Sequence, residues 1–469
     1  MIKFKKITNM NTKVNCKVKK SINDFHNHEN YSKGKLIIYQ MYKTIRHFFP
    51  DLFERLSLIP DYRERKQYEI AELITGGIAM FLFKEGSRNA MNNDRKENKF
   101  YNNYLRLFKL KLPHMDTVDD LFCSLNEEEL ERLKASLVTG LIEQKILRKF
   151  KFLGKSYIIA IDGTGISSYN YQHCDSCLKK TSKNGVVSYF HNVLEAKLIT
   201  SNGLSISLAT EWISNEDKSE YDKQDCELNA FKRLAVKIKH FFPRLPILIA
   251  ADGLYPNQSF FEICITNGWD FIVTLQDKSL KALQEEIRWL KTLSKVRTVV
   301  RAEKGNRITL NYRYLNDLSH KEYKLSWTEC EEICINSKTG KEEIKKFVHL
   351  SNIQIDNSIY VQVSDTGRLR WKIENEGFNT QKKGGYALEH KYSRKNFLAM
   401  KNNYQCLQIA HLINQLVLKS KCISDLFKED IKFTVCKLWE RLKSFFIENL
   451  LDKNDLLLSD SKQSQIRIT

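Results

Sequence analysis

Two short apolar runs end in the same way and leave the chain few architectures. Tyr157-Ile-Ile-Ala-Ile leads into Asp162-Gly163, and Pro246-Ile-Leu-Ile-Ala-Ala leads into Asp252-Gly253. Apolar runs of this length without alternation suit strands buried on both faces, in a sheet covered by helices. If the second run returns parallel beside the first, their carboxyl ends lie side by side. Asp162 and Asp252 then face each other at the crevice where open α/β sheets place their chemistry.

The surrounding pattern agrees with that layout. Tyr189 to Thr200 and Leu204 to Ile213 read as two further strands joined by a hairpin at Ser201-Asn202-Gly203. A helix is expected from about Gln224 to Phe241, another between Asp252 and Gly268, and a fifth strand over Asp270 to Gln276. A meander of three strands, a crossover helix, then alternating strand and helix gives an α/β sheet flanked by helices. Residues 36–150 carry helical patterns, from Glu69 to Phe83, after a cap at Thr117, and from Glu127 to Leu147. Residues 295–355 read as four strands with polar turns, a β-rich insertion that does not continue the sheet. Helix resumes near Thr366, breaks at Gly384-Gly385 and restarts near Arg394 to about Leu418; Phe427 to Leu450 is a further helical stretch. The expected division is a basic flexible arm over 1–35, a helical region over 36–150, a catalytic core over 151–294 and 356–420 enclosing the insertion, and a helical region over 421–469.

With 469 residues and a hydrophobic share of 42%, the chain is long enough for several domains with real cores. No apolar stretch reaches the roughly 18 residues of a membrane span, and the N-terminus has lysines without an apolar signal core. A cytoplasmic setting without membrane attachment is expected, and eleven scattered cysteines fit it. The formal charge of +20 points to a polyanionic partner. Arg63, Arg65, Lys66, Arg88 and Arg95 suit either contact with DNA or a solvated helix surface. One cysteine cluster stands out, His173-Cys174-Asp175-Ser176-Cys177, but zinc needs a second pair of ligands, and Cys330 with Cys334, or Cys226 with His191, are equally open.

The chemistry follows from the acids. A phosphodiester is a poor electrophile, and two divalent ions held by converging carboxylates are one way to activate the attacking oxygen and stabilise the leaving one. Magnesium takes oxygen ligands, so two or three acids from distant segments are needed. Asp162 and Asp252 provide two. The best third is Glu374 in Arg370-Trp-Lys-Ile-Glu374, where Arg370 and Glu374 share a helical face and Arg370 suits a phosphate. Glu376, Glu389 and His390 are rivals. Trp212, Trp269 and Trp371 read as core or domain contacts. His191 and Glu195 read as buried strand residues near the first acid. Asp225 and Glu227 open a helix, where acids favour the dipole.

At these motifs the chain resembles the DDE-type transposases of bacterial insertion sequences, in particular the group with a Tyr-x2-Arg-x3-Glu-x6-Lys signature. The resemblance runs from about residue 150 to 415. It rests on Ile161-Asp162-Gly163-Thr164, on Asp252-Gly253-Leu254-Tyr255, and on Arg370-x3-Glu374 followed by Lys382, with a β-rich segment between the second acid and the glutamate. Gly367 stands where the signature has Tyr, and Lys382 comes one residue late. The resemblance implies an RNase H-like core in which Asp162, Asp252 and Glu374 bind two Mg²⁺ (Mn²⁺ substituting) and catalyse strand cleavage and strand transfer. It implies DNA contacts by Arg370, Lys382, Lys383 and Arg394. The implied partners are double-stranded DNA, as transposon-end inverted repeats and as target, and a second copy of the chain on DNA. The protein would then be nucleoid-associated when bound. A nuclease of the same fold that does not join strands, and an inactive transposase-derived DNA-binding protein, are the alternatives. A dehalogenase-type phosphatase is disfavoured by Ala160 at its nucleophile position, and an actin-like ATPase by Gly163 directly after the aspartate.

Overall fold

The computed structural model describes residues 33–215, 225–303, 306–336, 339–393, 396–430, 432–456 and 466–468. Of the expected basic arm, Lys33 to Lys35 open the first helix, and 1–32 lie outside the described residues, as do Arg394, Lys395 and Ser459.

The two Asp-terminated runs pair as expected. Strand β1 (Tyr157–Tyr169) lies parallel to β5 (Ile247–Ala251), with Tyr157 opposite Ile247 and Ala160 opposite Ala250. Between them in sequence come β2 (Leu178–Thr181), β3 (Val187–Ile199) and β4 (Ser205–Ile213), with β3 antiparallel to β1 and to both β2 and β4. Strand β6 (Asp270–Thr274) lies parallel to β5. Alternation assigns the faces of these strands. Ile159, Ile161, Ile249 and Phe271 share one cluster with Phe231 and Phe260, while Ile158, Ala160, Leu248, Ala250 and Ile272 pack with Val363, Ile373 and Phe378.

Two expectations are corrected here. The segment 295–355 is not separate from the sheet. Its strands, β7 (Arg297–Glu303), β8 (Asn306–His320), β9 (Tyr323–Ile335) and β10 (Glu342–Ser351), extend one mixed sheet of ten strands, in the order β2-β3-β1-β5-β6-β10-β9-β8-β7, with β4 also paired to β3. The free edge of β6 would present unpaired backbone groups, and the buried end of β10 covers it, Leu350 opposite Val273. The second correction concerns length: β1 does not stop at Asp162 but runs to Tyr169, because β3 pairs with it along nearly its whole length.

Among the described residues, seven α-helices precede the sheet: α1 (Lys33–Phe48), α2 (Leu52–Ser57), α3 (Ile70–Leu82), α4 (Arg88–Asp94), α5 (Asn98–Phe108), α6 (Met115–Phe122) and α7 (Glu127–Glu143). The cap of α6 is His114, whose ring accepts from the Asp116 N–H, and Thr117 lies inside the helix. Helices α8 (Glu227–Phe241), α9 (Gln258–Thr266) and α10 (Lys281–Leu293) follow β4, β5 and β6, and the sequence pattern does not announce α10. After β10 come α11 (Tyr360–Leu369), a π-helical turn (Ile373–Asn379), α12 (Thr380–Lys383), α13 (Phe397–Leu418), α14 (Lys421–Glu429) and α15 (Val435–Glu448). The last two replace the single stretch expected over Phe427 to Leu450.

Helix α13 joins the two halves of the molecule. It is buried around its circumference, and its amides reach out to neighbouring backbone. Asn402 donates to the carbonyls of Phe122 and Leu125 at 3.0 and 2.8 Å, Asn414 to Leu82 at 3.3 Å, and Gln415 to Ser205 in β4 at 3.0 Å. Helix α15 closes the bundle from the other side, with Asn103 of α5 donating to its Phe446 carbonyl at 2.9 Å. No helix among the described residues is long and apolar enough to cross a membrane.

Candidate active site

The shapes of β1 and β5 create the site. Their pairing ends at Ala160 and Ala250, and β5 stops at Ala251, while β1 continues with only β3 beside it. Asp162 and Asp252, two residues beyond the last matched pair, therefore stand level with each other at the mouth of the gap. Asp252 turns the chain there, its Oδ1 accepting from the Leu254 N–H at 2.9 Å, and Asp162 Oδ1 accepts from Gly163 N–H at 2.9 Å.

The third element is α11 and the turn after it. Arg370 is 8% exposed, and its Nη1 lies 3.1 Å from Asp162 Oδ2. Burial pushes the Asp162 carboxyl up to about 6; Arg370 opposes the shift, and the charges of Asp252 and Glu374 add to it. The structure thus brings Asp162, Asp252, Arg370 and Glu374 to one place. Arg370 ends α11 and Glu374 sits in the π-helical turn, so the continuous α-helix expected through both is replaced by a widened turn. Such turns recur at functional sites because they re-aim a side chain without ending the helix. The rival acids lie elsewhere: Glu376 pairs with Lys372 at 3.0 Å, and exposed Glu389 pairs with Lys382 at 2.9 Å.

A fourth acid belongs to the site, and the sequence pattern does not reveal it. Glu227, the first residue of α8, packs its carboxylate against Gly163. A Cβ at that glycine would lie 2.5 Å from Glu227 Oε1, so only glycine admits the contact. Burial, then Asp162 and Asp252, push Glu227 up to about 7. The position is legible as an acid opening a helix, but its dipole role masks the second one. Gly253 has a matching role: a Cβ there would collide with the Gln276 side chain.

Gly367 also has a local cause. Fully buried His349 of β10 fills the space beside it, leaving 2.5 Å between its ring and a Cβ at 367, so the aromatic of the signature has no room. Burial holds this imidazole neutral, at about 4, with Arg368 and Arg370 acting in the same direction.

The cationic residues divide. Lys382 is tied to Glu389, Lys383 is exposed on α12, and Arg394 lies outside the described residues. In the helical region the clustered bases largely serve the fold. Arg63 and Lys66 hold Asp61, Arg88 holds Asp119 at 2.8 Å, and Arg95 donates to the Leu112 carbonyl, which leaves Arg65 exposed. Trp212 and Trp269 are core residues, but Trp371 is 52% exposed beside Arg370, contrary to expectation, because α11 ends before it and the turn faces it outward. Glu195, opposite Asp162 on β3, is fully buried and accepts from Thr210 Oγ1, with Lys197 Nζ 4.0 Å away.

No protein-family model matches the sequence, and no curated protein matches it.

Proposed function

We propose that the chain is a DDE-type transposase with an RNase H-like core, cleaving DNA at the ends of a mobile element and joining those ends to target DNA. The observation that carries the reading is the level placement of Asp162 and Asp252 where β5 stops, with Glu374 facing them and Arg370 against Asp162. The three-strand meander followed by two parallel strands is the layout this core requires.

The donor set fits divalent cations with a preference for oxygen. It offers carboxylates alone, and burial together with their mutual charge has raised Asp162 and Glu227 towards neutrality, a repulsion that added positive charge relieves. Asp162, Asp252 and Glu374 would hold two Mg²⁺ or Mn²⁺, with Glu227 close behind; when bound, such ions polarise the phosphoryl oxygens and acidify a bound hydroxyl. The residues of the chain do the rest. Arg370, buried against the gap, orients Asp162 through its ion pair. Gly163 and Gly253 let neighbouring side chains close over the gap. Trp371 offers an exposed ring beside Arg370, and Lys383 an exposed cation on α12, groups suited to a nucleic acid's bases and backbone. Joining two ends to one target requires both ends together, so the active species on DNA is a dimer.

The test uses a duplex carrying the sequences that flank the gene, incubated with the full chain. Cleavage at the element boundary in Mg²⁺, its loss in chelator and in Asp252→Asn, and joined products with added target are expected. Cleavage that persists in chelator, or that Asp252→Asn leaves intact, rejects the reading.

A further inference from the structure

A second cluster of ligand atoms lies further along the same pair of strands, and carboxylates have no part in it. The turn after β1 carries His173, Cys174 and Cys177, and β3 supplies His191, opposite Ser167. One nitrogen or sulfur from each falls within 4.8 Å of the others. We propose that these four residues form a structural zinc site, with His191 as the ligand that joins the loop to the sheet.

The distances carry the argument. Cys174 Sγ and Cys177 Sγ are 3.8 Å apart, and His191 Nε2 is 3.4 Å from each sulfur. A tetrahedral ion with bonds of about 2.3 Å to sulfur and about 2.05 Å to nitrogen sets those edges at about 3.8 Å and about 3.6 Å. The loop has the form that thiolate ligation favours: two residues separate Cys174 from Cys177, and the Cys174 N–H points at Cys177 Sγ at 3.4 Å. His191 is 0% exposed and stacked on Phe397 at 4.3 Å, which fixes its ring with Nε2 toward the two sulfurs. His173 is held in turn by stacking on Tyr169 at 4.5 Å. Binding displaces one proton from each thiol and none from the imidazoles, so Zn²⁺ and two thiols give a neutral site and two protons.

The site has a consequence for the acids. The Cys177 carbonyl accepts from Asn215 Nδ2 at 3.4 Å, and Asn215 Oδ1 accepts from the Asp225 N–H at 3.1 Å, two residues before Glu227. Zinc would fix the loop that steadies the start of α8.

The full-length protein from cells grown with zinc, and separately with cobalt, decides the matter. Elemental analysis should find about one zinc per chain, and the cobalt form should show the intense visible bands of a tetrahedral site with sulfur-to-metal charge transfer. X-ray absorption of the zinc form should fit two sulfurs and two nitrogens, a result that needs no variant. Cys174→Ser with Cys177→Ser, and His191→Gln, should each lower the zinc content at least about tenfold. Wild-type protein free of zinc and cobalt, a sulfur-free shell, or an intact mass two hydrogens light from a Cys174–Cys177 disulfide would each overturn the proposal.

Discussion

Two clusters of side chains of the types that bind metals border the β1–β3 pair about five residues apart, roughly 16 Å along the strand, and they are built from opposite materials. The Asp162 cluster is all oxygen and bordered by a gap where β5 ends, and burial, with the neighbouring acids adding to it, pushes the carboxyls of Asp162 and Glu227 upward. The His191 cluster is sulfur and nitrogen, flanked by aromatic rings, with the three edges among Cys174, Cys177 and His191 near tetrahedral length. Hard donors around an open gap suit an ion that exchanges water and substrate, whereas soft donors in a closed shell suit one that stays in place. One strand pair can serve both because its register fixes the side chains while the neighbours on either side differ.

The strongest way to break this contrast is to neutralise one cluster and watch the other. Asp252→Asn should lower strand cleavage by about 10³-fold or more, the scale of several kcal/mol of lost electrostatic stabilisation, while zinc content and end-DNA affinity stay near wild type. A fall in zinc would show that the two clusters are not independent. Brief EDTA treatment followed by dialysis should abolish cleavage; Mg²⁺ alone should restore it fully, with zinc retained throughout. A requirement for added zinc would reverse the assignment of open and closed sites.

Arg370→Ala removes the cation that, among the described residues, pulls Asp162 downward. Asp162 then holds its proton to higher pH, so the midpoint for Mn²⁺ binding, followed by isothermal titration, should rise by about one pH unit. An unchanged midpoint would place Arg370 outside the electrostatics of the site.

Glu227→Gln tests the fourth acid through stability. The folded, metal-free protein keeps Asp162 protonated up to about 6 and Glu227 up to about 7, both above their unfolded values. The contribution of Glu227 is therefore whole below about pH 4.5 and lost as pH rises through about 7. Relative to Glu227→Gln, metal-free wild type should lose about 1–3 kcal/mol between pH 5 and 8 in urea unfolding, and Mg²⁺ should reduce the loss. A flat difference would mean that Glu227 meets solvent. The smallest effect is expected on α12. Lys383→Ala should reduce the slope of log K against log salt on duplex DNA by about 0.9 for each phosphate the lysine neutralises. Lys382→Ala should change it less, since Glu389 already engages that amine; the reverse ranking would put the DNA on the other side of the helix.

Legibility in the sequence followed how local each determinant was. The placement of Asp162 and Asp252 could be read because an unbroken apolar run before an acid says strand and burial at once. Glu374 emerged only from its order after the other two and its arginine, since spacing of four along a helix is common on any surface. Glu227 was hidden because an acid that opens a helix already has a sufficient reason, and its second one depends on the absent Cβ of Gly163. The π-helical turn leaves no mark in residue type. The extension of the sheet depended on which edge β10 would choose, a non-local pairing that the strand pattern alone leaves open. For the cysteine cluster, the loop half was visible, but choosing His191 as partner needed the register of β3.

Helix α13 adds a constraint in time. It lies late in the chain yet supplies the centre against which α1, α3, α6 and α7 bury their apolar faces. During synthesis those early helices leave the ribosome long before their common partner exists. Until then they must wait with apolar surface uncovered, exposed to chaperones, proteases and one another. A chain that terminates early, before Phe397, would release a bundle without its centre. Nascent-chain proteolysis should show protection of the first helices appearing abruptly, only once α13 has emerged.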